Sequence, residues 1–163
     1  MKWYSNLYDK KTSATGLAIF RIVFFINFFF EVLFIFKNRQ LFFDIIPFLE
    51  PFELDFTIPL IIWLIVILGI VIGFYTQFLL IINYFFVLVF ISSLSSFEYH
   101  MDYVYSGISF VLMFIPLANN LSIDRVININ KEKNVSQFYY LLIIFVGIGM
   151  LYFDSVLHKL SSQ

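Results

Sequence analysis

The sequence has no cysteine. That excludes disulfide frameworks, thiolate metal sites, c-type haem attachment and CxxC redox chemistry. Charge is scarce: Asp, Glu, Lys and Arg make up 13% of 163 residues, against about 25% in soluble domains. The net charge of -1 offers no basic stripe, so no nucleic-acid partner is expected. Histidine occurs twice, at His100 and His158. With no phosphate-binding glycine loop, HExxH or GxSxG, neither a metal site nor a serine hydrolase is expected. The period-2 alternation of a membrane barrel is also missing.

Apolar side chains fill the space. The chain is 61% hydrophobic and 22% aromatic, with a mean hydropathy of +0.92, so the partner it implies is the lipid bilayer. Five stretches, 14–36, 58–74, 78–94, 103–117 and 138–157, approach the roughly 20 residues that a helix needs to cross a hydrocarbon core. The predicted fold is all-α, a polytopic membrane helical bundle of about five transmembrane helices forming a single domain over residues 1–163. The first stretch outruns the ~7–15 residues of a signal-peptide core. It is followed by Lys37, Asn38, Arg39 and Gln40, not by a small-residue cleavage site, and reads as a retained span.

Between the spans, residues 37–57 are turn-rich and acidic, and residues 118–137 read as a solvated loop with Asp124, Arg125, Lys131 and Lys133. Lys and Arg in the flanks favour the cytoplasm. An inside N-terminus places Lys2, Lys10, Lys11, Arg125, Lys131 and Lys133 there, with Lys37, Arg39 and Lys159 outside. That is the better of the two orientations. It sends residues 37–57, the turn at 97–102 and the C-terminal end to the non-cytoplasmic face.

Three places hold ionisable residues at or within the apolar spans. Glu98, His100 and Asp102 cluster at one boundary, as a proton-handling or ligand site, or as a solvated loop anchored by Tyr99 and Tyr103. Asp154 and His158 are one helical turn apart with Lys159 adjacent. A carboxylate can orient an imidazole there and a dry lysine can act as a base, or the helix simply ends with Lys159 snorkelling to the headgroups. Arg21 lies inside the first span, followed by Asn27 and Glu31. It either faces the bundle interior or snorkels outward. Gly69 and Gly73 have GxxxG spacing, and Gly147 and Gly149 open one side of the last span to a neighbour. A transporter is the weakest reading, because no paired broken helices mark a midplane site.

Four segments carry a resemblance in order along the chain: Gly16-Leu17-Ala18-Ile19-Phe20-Arg21-Ile22-Val23-Phe24, Tyr99-His100-Met101-Asp102-Tyr103-Val104-Tyr105-Ser106-Gly107, Asn119-Asn120-Leu121-Ser122-Ile123-Asp124, and Tyr152 to Leu160. Together they resemble the horizontally transferred transmembrane (HTTM) domain, the family that includes vitamin K-dependent γ-carboxylase. The resemblance implies a reduced, vitamin K-like quinone as cofactor and Lys159 as the base that deprotonates it. His100 falls in the same active site; Asp102 and Arg21 are supporting candidates within the resembling segments, and Asp154 and His158 are supporting candidates from their spacing beside Lys159. In the carboxylase, oxygen turns the quinol into a strong base that removes a proton from a substrate glutamate, and carbon dioxide adds to the carbanion.

Two departures bear on that transfer. Asp154-Ser155-Val156-Leu157-His158 stand where the family usually has small residues. The sequence also stops short of the carboxylase's later helices and substrate domain, so it is expected to be the N-terminal part of a longer HTTM domain. The Tyr-Phe-Asp-Ser wording is closer to bacterial members similar to the sporulation-delaying toxin maturation protein. Two functions therefore stand side by side: a carboxylase- or lyase-like enzyme using a reduced quinone, and a non-carboxylating factor for maturation or export of a secreted peptide-toxin precursor. Both imply the bacterial cytoplasmic membrane, N-terminus inside and C-terminus outside.

Overall fold

The computed structural model describes residues 8–44, 55–93, 100–127 and 134–161, and the side chains of residues 91–93, 100–102, 154, 157, 158 and 161 lie outside that description. Residues 45–54, Glu98, Tyr99, Lys131 and Lys133 lie outside it as well. In chain order the elements are β1 (Lys11–Ser13), α1 (Thr15–Lys37), α2 (Arg39–Phe43), α3 (Thr57–Ile72), α4 (Thr76–Ser93), α5 (His100–Leu112), a 3-10 turn (Leu117–Asn119), α6 (Ile123–Ile127), β2 (Asn134–Ser136) and α7 (Phe138–Ser161). The fold is all-α in class, as its continuous apolar runs require. Among the described residues, α1 is the one helix long and apolar enough by itself to cross a membrane.

Helix ends follow local chemistry. Lys37 sits in the last turn of α1, where a cation complements the helix dipole. Asn38 then donates its side-chain amide to Phe34 O at 2.9 Å. Before α3, Asp55 Oδ1 accepts the Thr57 N–H at 2.9 Å. Hydrogen bonds from Thr57 hold the Asp55 carboxyl below the usual carboxylate range. Such a depressed group supports the folded helix above its unfolded-state pKa and loses that contribution as pH falls through the folded value.

Gly73 terminates α3 at φ +80°, a left-handed conformation that suits glycine. Its N–H donates to Ile70 O at 3.1 Å and that of Phe74 to Gly69 O at 3.0 Å. The GxxxG pair therefore splits its work: a Cβ on Gly69 would strike Leu79 of α4, whereas Gly73 stops the helix. α5 ends at Leu112, short of the expected 117. Pro116 has no N–H and disfavours helical backbone before it. The chain there tightens into i to i+3 bonds, such as Phe114 N–H to Val111 O at 3.0 Å.

The most extensive helix pairs are α1 with α3 and α5 with α7, joined through α3–α4 and α4–α5. Successive long helices alternate in direction. Residues 13–17, 73–76, 117–125 and 136–140 consequently meet at one end, here the polar end. The opposite, far end holds Lys37, Thr57, Ser93, His100 and Ser161.

At the polar end lies an element that apolar patterning does not reveal, a two-stranded antiparallel ribbon. It pairs Lys11 with Ser136, Thr12 with Val135 and Ser13 with Asn134. Gln137 N–H extends the ladder to Lys10 O at 2.9 Å. Three-residue strands are too short to show alternation, so only the pairing itself identifies them.

Trp63 of α3 organises the interior. Its ring lies 4.9 Å from Phe90, 5.5 Å from Phe28 and 5.8 Å from Phe86. Its indole N–H donates to Asn83 Oδ1 at 3.0 Å, which gives the one polar atom of the ring a buried acceptor. Gly107 of α5 faces Met150, and Ile108 faces Gly147 of α7, so these two helices pack closely and antiparallel.

Gly73→Ala is expected to lower stability by about 1–3 kcal/mol, from the left-handed backbone and from contact with Ser122 and Arg21. Gly149→Ala, with nothing within 4 Å of the added carbon, is expected to be neutral or to stabilise by up to about 1 kcal/mol. Reversible denaturation in detergent checks both. Equal midpoints for the two variants would contradict this account of the turn.

Candidate functional site

Arg21 lies six residues into α1, on the face that also buries Leu17, Ala18, Phe25, Phe28 and Val32. A guanidinium cannot be left without partners at that position. It is fully buried, donating through Nη1 to Leu117 O at 3.1 Å and through Nη2 to Leu121 O at 2.6 Å. Of the two readings open from sequence, the structure takes the bundle-internal one. The two acceptors belong to the segment after α5, in which Leu121 adopts φ +46°.

Over residues 118–125 that segment departs from the solvated loop expected of residues 118–137, of which 128–133 lie outside the described residues. Ala118 and Ser122 are buried. Ser122 Oγ donates to Ala118 O at 2.6 Å and accepts the Arg125 N–H at 3.2 Å, capping α6. Asp124 then reaches the turn between α3 and α4: its Oδ1 accepts the Tyr75 N–H at 2.7 Å and its Oδ2 the Thr76 N–H at 2.8 Å. Its own N–H donates to Gly73 O at 2.9 Å. A carboxylate on the first amides of α4 satisfies donors that the helix cannot, and its charge suits the helix N-terminus. It also acts electrostatically on Arg21.

Asn120 closes the network toward α1, donating to Thr15 Oγ1 at 2.6 Å and accepting from Arg125 Nη1. Tyr140 of α7 donates to Ser13 O at 2.6 Å and accepts the Leu17 N–H at 3.1 Å. Gly16 leaves room for that phenol: a Cβ there would lie 2.7 Å from the Tyr140 oxygen. Neither Tyr140 nor the carboxylate cap was singled out by spacing. The available signal was Ser122 with the start of a short helix after it, a capping pattern.

The other candidate residues sit elsewhere. His100 opens α5 and Asp102 follows in it, while Asp154, His158 and Lys159 belong to the last part of α7. The side chains of His100, Asp102, Asp154 and His158 lie outside the described residues. Their backbone level follows from helix register. With Gly107 against Met150 in an antiparallel pair, seven residues back on α5 reaches His100, and seven onward on α7 reaches Leu157. His100 and Asp102 therefore share the far end with Asp154, His158 and Lys159.

Arg21 is at the opposite end. Nineteen residues of helix separate Lys159 from Tyr140, roughly 28 Å at 1.5 Å per residue. Lys159 is exposed on α7, on a strip with Tyr152, Ser155 and Val156. The candidate set thus divides into one far-end group and one buried arginine that supports the fold.

Comparison with protein-family models, with curated proteins and with solved structures finds no match to this chain.

Arg21→Met is expected to destabilise the protein by on the order of 2–4 kcal/mol, because the buried Leu117 carbonyl and the part-buried Leu121 carbonyl lose their donors. Asp124→Ala is expected to cost about 1–2 kcal/mol through loss of the α4 cap. Chemical denaturation of the purified variants checks both, and wild-type stability in Arg21→Met would remove the arginine from its bracing role.

Proposed function

We propose that the chain is an integral membrane protein of the HTTM type, with its five long apolar helices crossing the bilayer and its chemistry at the far end. The observation that carries this reading is the exposure of large apolar side chains on all five helices. Phe30 on α1, Ile65 on α3, Phe85 on α4, Phe114 just after α5 and Phe145 on α7 are 61 to 68% exposed. Leucine, isoleucine and phenylalanine cover the flanks of the same helices. A water-soluble monomer does not present so continuous an apolar surface, whereas lipid is the solvent that such a surface fits. Apart from α1 and the 24-residue α7, the long helices have 18 residues or fewer, as helices shielded by neighbours or set in a locally thinned bilayer can have.

At the far end, Tyr152, Val156 and Lys159 share one exposed strip at i, i+4 and i+7. An apolar ring with a hydrophobic tail fits this arrangement, since a valine and a tyrosine continue the strip one and two turns before the lysine. A reduced quinone held there would supply a hydroxyl able to react with oxygen once deprotonated. The part of Lys159 is to accept that proton at Nζ, which it does only from its neutral form. His100 and Asp102, whose backbone lies on the neighbouring helix at the same end, are the residues this reading assigns to relaying or holding the proton.

Because the chain has no cysteine, introduced thiols report sidedness cleanly. In sealed vesicles, a membrane-impermeant maleimide is expected to label Gln40→Cys and Leu160→Cys from one side and Asp9→Cys from the other. Labelling of Gln40→Cys and Asp9→Cys from the same side would overturn the bundle. Lys159→Ala is expected to abolish reduced-quinone epoxidation in membranes. Preserved turnover would remove Lys159 as the base and leave the topology standing.

A further inference from the structure

Midway along α1, the face turned away from the bundle carries an amide and a carboxyl. Asn27 and Glu31 are exposed and one helical turn apart, while Arg21, Phe25, Phe28 and Val32 occupy the buried face. Asn27 lies roughly 15 Å of helix from Lys37 at 1.5 Å per residue, near the middle of α1. We infer that this face packs against α1 of a second copy of the chain, with Asn27 at the centre of the contact.

Lipid alone is a poor neighbour for these two groups. Asn27 donates Nδ2 to its own Val23 O at 2.9 Å. That uses one of its two amide hydrogens and leaves Oδ1 without a donor among the described residues. Glu31 makes no hydrogen bond or ion pair among them. Side chains of a helix lean toward its N-terminus, so Glu31 starts toward Asn27 and the midplane instead of toward the far surface. Polar groups at that depth are costly in hydrocarbon, and they are accommodated by facing protein.

Symmetry and the chemistry of asparagine select a second copy as the occupant. Copies inserted in the same orientation bring their α1 helices together in parallel, about a two-fold axis along the membrane normal. A residue on that axis meets its own counterpart. Asparagine is donor and acceptor at once, so the unused amide hydrogen of one Asn27 meets the unused Oδ1 of the other. The neighbouring apolar positions have the spacing such a pair needs: Val23, Asn27, Phe30 and Phe34 fall at i, i+4, i+7 and i+11, the seam of a left-handed helix pair. Val23, Phe30 and Phe34 are 54, 61 and 56% exposed. A single asparagine in such a seam fixes register, and in lipid its hydrogen bond adds to the packing of the pair. Glu31 flanks the seam, and the two-fold sets the two carboxyls on opposite sides of it.

This inference rests on the membrane reading above, since an exposed amide and carboxyl are costly only where hydrocarbon surrounds them. Because the chain has no cysteine, single thiols report contacts between copies. Full-length Val23→Cys, Phe30→Cys and Phe34→Cys would be oxidised in native membranes and resolved on non-reducing gels. Phe85→Cys on α4 and Phe145→Cys on α7, 68 and 65% exposed in the wild type, serve as controls of equal accessibility. In parallel, labelled wild type, Asn27→Leu and Phe85→Leu would be diluted in liposomes, with association read by energy transfer and folding by denaturation in detergent.

The expected result is disulfide-linked dimers from the three α1 thiols and none from the α4 and α7 thiols. Association is expected to weaken about tenfold in Asn27→Leu and to stay unchanged in Phe85→Leu, with the wild-type denaturation midpoint in Asn27→Leu because its side chain is exposed. Equal crosslinking at all five positions, monomers at every dilution, or wild-type association in Asn27→Leu overturns the pairing. Crosslinking of the α1 thiols to a different protein overturns it as well and assigns the face to another transmembrane helix. Carbonate extraction of native membranes separates the two proposals: release of the chain ends the membrane reading and the pairing with it, whereas a retained chain that stays monomeric ends the pairing alone.

Discussion

A buried guanidinium in an apolar helix constrains everything around it. Arg21 has to be solvated by protein, and the acceptors within reach are main-chain carbonyls of Leu117 and Leu121. Holding those carbonyls in place fixes the path of the segment after α5, including the left-handed Leu121. That path brings Ser122 against Gly73, where a side chain would have no room, and sets Asp124 over the first amides of α4. One charge placed in α1 therefore dictates a glycine in the next turn, a cap on the following helix and the course of a loop about a hundred residues away.

The two ends of the molecule differ as a result. At the polar end, hydrogen bonds tie α1, the α3–α4 turn, α6 and the start of α7 into one unit. Side chain to backbone bonds dominate, which suits a region where several helix termini expose unpaired amides and carbonyls. Between the ends the interior is aromatic, built around Trp63 and its neighbours, and the outside is equally apolar. A helix that is apolar all round gains little in sidedness from the hydrophobic effect when lipid is outside. Close approach at Gly107 and Gly147, ring stacking, and the polar clamp then supply the specificity of packing.

Much of the helical framework could be read from run length, because backbone hydrogen bonding within an apolar stretch admits little else. Arg21 was conspicuous for the same reason: a charge at that depth demands partners, although nothing in the spacing named them. The first part of the 118–137 loop, residues 118–125, departs from that reading because polarity looks the same whether a side chain faces water or another backbone. Asp124 bonds residues 48 and 49 positions away, and such separation leaves no periodic trace. The early end of α5 was available in principle from Pro116, whereas the three-residue strands of the ribbon gave no pattern to read.

Division of labour between the ends follows from what each can vary. The polar end uses its ionisable groups internally: Arg21 is committed to carbonyls and Asp124 to amides, so changing either alters the scaffold before it alters chemistry. The far end places Lys159 on the exposed strip of a helix clamped near its start by Tyr140 and midway by the α5 contact. A helix fixed at those two points sets the backbone position of Lys159 near its end.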